Sequence, residues 1–260
     1  MRFHRLPGDP AATTFPPMPL RFYFQLSRAP RYSLLFALPL VALYEGLAIA
    51  LTPPEGTAVR NAAEVMLKQL FTVVAGAHGH VIFWVCLIGA GLWLVGRDLR
   101  RHGGPLRPAV FALMVAESVA LALVVGTVVG TLTATILRPL ALAAQVPLTQ
   151  LDGPTRLMLS LGAGLYEELL FRVLLVTLLA YAGVHLLGFR RTVAGAWAAV
   201  LGALLFSAVH YLGPFGDRLE LYSFTFRFLG GLFFSALYLA RGFGVTAWTH
   251  ALYDVFLLVI

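Results

Sequence analysis

Residues Tyr166 to Arg172 read YEELLFR, set between SLGAGL (160–165) and VLLVTLLAYAG (173–183). Two adjacent carboxylates and a guanidinium interrupt an apolar run that is long enough to cross a bilayer, which takes about 20 residues. Charge inside such a run is costly. By default it faces a protein interior or a water-filled cavity. The stretch therefore predicts a membrane-spanning helix packed among others. Residues four apart share a helix face, and a glutamate placed N-terminal to its cation is the favourable order. Glu168 and Arg172 have that spacing and read as a structural ion pair. Glu167 points about 100° away, because a helix turns once in 3.6 residues. It has no partner on its own helix and is the carboxylate left for chemistry.

The rest of the chain agrees with a membrane setting. Of 260 residues, 59% are hydrophobic and 12% charged, and the mean hydropathy is +0.83. Soluble domains run about 45–50% apolar and about 25% charged. The expected fold class is all-α: a polytopic transmembrane helical bundle of about seven spans (six to eight). Spans are expected near 32–52, 80–96, 108–137, 156–182, 192–212, 224–240 and 243–260. Residues 1–31 read as a basic, irregular tail with a short interfacial helix near LRFYFQLSR, followed by the transmembrane domain 32–260. The tail lacks the apolar core of a signal peptide, so the first span is expected to act as an uncleaved anchor. Residues 59–79 form a weaker amphipathic segment in which Arg60, Glu64 and Lys68 recur every four residues. It is expected to lie at the interface, with a re-entrant piece as the alternative.

The net charge of +7 resides in the loops. It reads as a topology signal and an attraction to anionic lipid, with no nucleic-acid partner. With the N-terminus inside, twelve Lys/Arg fall on inner segments and six on outer ones. The expected location is a prokaryotic cytoplasmic membrane, N-terminus inside. The single Cys86 excludes an internal disulfide and a cysteine-based metal site.

Five of the twelve acidic residues fall within expected spans: Glu45, Glu117, Glu167, Glu168 and Asp254. His210 and His250 do too. His250 and Asp254 (HALYD) share a face at i, i+4, and His210 closes FSAVH, four residues after Phe206. Glu167, His210 and the His250/Asp254 pair come from three helices and form a polar pocket if those helices cluster. Two chemistries fit that pocket. In one, Glu167 takes a proton from a water positioned by His210, and His250 donates to the oxyanion. In the other, His210, His250 and a carboxylate of Glu167 or Asp254 hold Zn²⁺ or another divalent metal. No HExxH is present. Glu45 and Glu117 are expected to bond to a neighbouring hydroxyl, such as Ser118 or Thr127, or to stay protonated. His78 and His80 are expected in a surface loop. The small residues of SLGAG and FLGG predict close helix packing.

An EExxxR element, then FxxxH, then HxxxN/D on successive or near-successive apolar helices resembles the CPBP family, the CAAX prenyl endopeptidases and bacteriocin-processing proteins also called Abi intramembrane proteases. The resemblance covers about residues 155–260. It implies an intramembrane endopeptidase acting on a membrane-associated peptide or protein, lipidated or not. Glu167 would be catalytic, Glu168 and Arg172 its supporting pair, His210 a water holder, and His250 with Asp254 the oxyanion or ligand side. It leaves open a metal cofactor or none. Asparagine is frequent where this chain has Asp254. A carboxylate cannot donate to an oxyanion unless protonated, so Asp254 fits orienting His250 or ligating a metal better. The alternatives of other classes are a proton-coupled transporter and a catalytically silent scaffold or immunity protein of the same fold.

Overall fold

The computed structural model describes residues 19–55, 58–137, 152–213 and 216–259. The readings made for residues 1–18 lie outside this range. Helices are α1 (Leu20–Arg28), α2 (Pro30–Ala50), α3 (Ala62–Ala75), α4 (Gly79–His102), α5 (Pro108–Ile136), α6 (Gly153–His185), α7 (Arg191–Val209), α8 (Leu221–Arg241) and α9 (Phe243–Val259). Six helical stretches are long and apolar enough to cross a membrane: α2, the run Ala62–His102, α5, α6, α7 and α8. The protein is a polytopic all-α bundle, as its composition requires.

The seventh expected span, α9, has 17 residues, or about 26 Å at 1.5 Å per residue. It is the axis of the bundle. Val245, Ala247, Ala251 and Tyr253 on this one helix join the three apolar clusters of the core. Small residues make this possible, because Thr246, Ala247, Thr249 and Ala251 let several helices approach one axis closely. Large apolar side chains such as Val74, Leu92, Leu178 and Leu186 face outward. That is the reverse of a soluble protein and suits contact with lipid tails.

One close approach decides where the site lies. A Cβ on Gly164 would stand 2.4 Å from the Ala247 carbonyl oxygen and 2.6 Å from Ala251 Cβ. Only glycine lets α6 cross α9 at this level. Gly164→Ala is expected to lower stability by about 1–3 kcal/mol, the usual range for overpacking. Denaturant unfolding of the detergent-solubilised protein measures it, and an unchanged midpoint would refute the close crossing.

The segment 59–79 does not run on straight into α4. The Phe71 and Phe83 rings lie 5.6 Å apart, whereas twelve residues of straight helix would separate them by about 18 Å. The chain therefore folds back, turning at Gly76, whose φ of 59° suits glycine. At the other end of α3, Asn61 sits beside Tyr44, whose hydroxyl accepts from the Asn61 backbone N–H at 3.0 Å. So α3 begins within the bundle, short of the end of α2. Its charged face turns inward. Arg60 pairs with Glu45 at 2.9 Å, and buried Glu64 is bonded by Lys68 and Tyr44.

Glu117 takes a hydroxyl partner, as expected, but from Tyr23 rather than Ser118 or Thr127, and adds a guanidinium. It pairs with Arg241 at 2.6 Å and accepts from Tyr23 at 2.5 Å. Ser118 and Thr127 instead donate to the backbone carbonyls of Val245 and Leu123. A guanidinium arriving from another helix offers a carboxylate more than a hydroxyl does. Burial, then the Glu117 hydrogen bond, pushes the Tyr23 phenol above its usual range, so Tyr23 remains a donor. Arg31, expected in the tail, is a buried residue of α2 that pairs with Asp98 at 3.5 Å. LRFYFQLSR forms a helix, α1, as expected; His78 and His80 are exposed, but they sit in a 3₁₀ turn and in the first turn of α4 rather than in a loop.

Candidate active site

The helix that carries YEELLFR is not a regular α-helix. Residues Ala163–Val176 adopt wider π-type turns, ending with the Thr177 N–H on the carbonyl of Arg172, five residues back. Such turns are rare and recur at functional sites. The two carboxylates diverge from them as the spacing predicts. Glu168 is 0% exposed and lies 3.1 Å from Arg172, itself 1% exposed. Glu167 is half-buried and lines a cavity.

That cavity, about 260 Å³, is bounded by Glu167, His210, His250, Asp254, Phe206 and Arg227, among others. All four side chains singled out for chemistry therefore meet in one space. His210 lies at the C-terminal end of α7, where a depth estimate from residue rise alone would set it apart from His250. Ser223 and Arg227, from the first two turns of α8, line the same cavity. The space is thus deep enough to join the end of the bundle to its interior.

Both histidines are held through Nδ1. His210 Nδ1 lies 2.8 Å from the Phe206 carbonyl. A carbonyl only accepts, so Nδ1 carries the hydrogen and Nε2 is left with its lone pair. His250 Nδ1 lies 2.6 Å from Glu168 Oε1. Its Nε2 stands 3.6 Å from Asp254 Oδ2, in ion-pair range but too far for a hydrogen bond. The residue that orients His250 is thus Glu168, and Asp254 lies on the other side of the ring. The sequence offers Asp254 for orienting His250 or for ligating a metal; i, i+4 spacing reveals only partners on the same helix, so Glu168 is not visible from it.

Aromatic faces complete the support. His250 stacks on Phe234 at 4.3 Å. Phe206 lies edge-on to His210 at 5.0 Å. The Arg172 guanidinium sits over Phe206 and Phe234 at 4.6 and 5.7 Å. Phe206 therefore couples the ion pair to both histidines, which accounts for its place four residues before His210.

Two contributors came from outside the motifs. The Asn61 side-chain N–H donates to Glu167 Oε1 at 3.2 Å, and Tyr166 donates to Glu45 at 2.7 Å. The Asn61 signal, a capping residue before an apolar run, is present in the sequence. Its tertiary partner is not.

The donor types suit a divalent metal, but their arrangement does not. Among the described residues no group of three or more His, Cys, Asp or Glu side chains is placed to hold a metal ion. His250 Nδ1 is already occupied by Glu168.

Residues 151–256 match the family model described as type II CAAX prenyl endopeptidase Rce1-like. Comparisons with curated proteins and with solved structures give no match.

Proposed function

With residues 151–256 matching the Rce1-like family model, we propose that the protein is an intramembrane endopeptidase that uses Glu167 as general base on a water. The carrying observation is the meeting of Glu167, His210, His250 and Asp254 in one cavity of the bundle. Three helices position the reacting groups, and burial strengthens their electrostatics.

The water binds between Glu167 and His210 Nε2, which accepts one of its hydrogens. Glu167 removes a proton, and the oxygen attacks the carbonyl carbon of the substrate peptide. The carbonyl π electrons move to its oxygen. His250, when doubly protonated and held at Nδ1 by Glu168, donates from Nε2 to that oxyanion. The tetrahedral centre collapses, the C–N bond breaks, and Glu167 returns its proton to the leaving nitrogen. Asp254 lies 3.6 Å from His250 Nε2, on the side of the ring away from Glu168. The substrate class is a peptide segment of a membrane-associated protein, with or without a lipid anchor, reaching the cavity from the bilayer.

The test is cleavage of a library of membrane-anchored peptides by the purified protein in vesicles, with and without a strong chelator. Cleavage that persists in chelator is the expected result. Cleavage abolished by chelator and restored by a divalent metal would replace the Glu167 base with a metal-held water. Substrate flux into sealed vesicles without cleavage would favour a transporter.

A further inference from the structure

We propose that Asn61, outside the family-matched region, is the positioning residue for the Glu167 carboxylate. This rests on Glu167 being the general base. Among the described residues, Asn61 is the one side chain hydrogen-bonded to Glu167.

The Asn61 amide is fixed at both ends. It is the N-cap of α3, and its Oδ1 accepts from the Ala63 N–H at 2.9 Å. That bond settles which way the amide faces. With the oxygen committed to the helix, Nδ2 must turn to Glu167. The Asn61 backbone is held in turn by Tyr44, which is bonded to buried Glu64. The donor therefore stands on a rigid mount rather than on a mobile loop.

The approach depends on two features of α6. A Cβ on Gly162 would lie 2.9 Å from Asn61 Cβ and 2.5 Å from the Tyr44 ring, so only glycine admits Asn61 here. Five residues separate Gly162 from Glu167. In a regular α-helix that spacing places two side chains about 140° apart. The wide turns that begin at Ala163 shorten that angle and bring the glycine and the carboxylate towards one face. A single amide can then touch the first and bond to the second. The π-type geometry thus has a use: it presents Glu167 to Asn61.

The consequence for the reaction is geometric. Asn61 occupies Oε1, leaving Oε2 to meet the water. Without Asn61 the carboxylate is free to rotate away from the water.

Three variants of the full chain in vesicles separate positioning from scaffolding, with a fluorogenic membrane-anchored peptide as probe. Asn61→Asp and Asn61→Ser both retain an N-cap oxygen, but neither places an amide N–H against Glu167. Asn61→Ser is expected to lower kcat about tenfold to a hundredfold, the worth of a hydrogen bond to a charged group, with KM and the unfolding midpoint little changed; Asn61→Asp, which sets a second carboxylate against Glu167, is expected to lower kcat at least as much and the midpoint as well. Asn61→Ala is expected to lower the unfolding midpoint as well. The infrared carboxylate band that disappears in Glu167→Gln reports the same bond without turnover, and should shift in Asn61→Asp and Asn61→Ser. Unchanged kcat and an unmoved band in those two variants, with Glu167→Gln inactive, would overturn the inference alone. An active Glu167→Gln would overturn the reading on which it rests.

Discussion

Glu168→Ala is expected to destabilise the protein by about 3–5 kcal/mol, the cost of leaving a buried charge without its partner. Glu168 is 0% exposed and serves two groups at once, Arg172 at 3.1 Å and His250 Nδ1 at 2.6 Å. Its removal leaves the guanidinium with aromatic faces and one long contact to the Gly231 carbonyl, 3.5 Å away. It also leaves the His250 ring without an acceptor to fix it. Denaturant unfolding in detergent, followed by tryptophan fluorescence, gives the number. The double variant Glu168→Leu/Arg172→Leu should recover most of that stability, because a buried pair replaced by apolar side chains is often neutral. It should not recover cleavage, because His250 is still unheld. A loss below about 1 kcal/mol in Glu168→Ala would mean that the pair does not stand in a dry interior.

Much of the site was legible because it depends on spacing within one helix. The Glu168–Arg172 pair and the divergence of Glu167 follow from the angle between successive residues, and both are present. The spans follow from apolar run length. What escaped was pairing between helices. Arg241 reads as a loop cation from sequence, yet it ends α8 within reach of Glu117 on α5. The second bond of Glu168, to His250, joins residues 82 apart. No periodicity within either helix reports such a contact. The amphipathic pattern of residues 60–68 was visible too, but a charged stripe faces headgroups or a polar interior with equal ease. Tyr44, Glu45 and Glu64 supply that interior. The π-type turns of α6 left no mark in the residue pattern, which is equally good for an α-helix.

The assignment of Glu167 carries the largest expected effect on activity. A general base contributes about 10²–10⁴-fold, and here the same carboxylate also returns the proton to the leaving nitrogen. Glu167 lies at the cavity and takes part in no buried ion pair among the described residues, so its amide replacement leaves no charge stranded. Glu167→Gln should therefore fold normally. The deciding measurement is the initial rate of peptide cleavage by purified Glu167→Gln beside the parent protein, in the same vesicles, with matched unfolding midpoints. The account predicts a rate at least about a hundredfold lower, in keeping with loss of a general base. A rate equal to the parent's would contradict it.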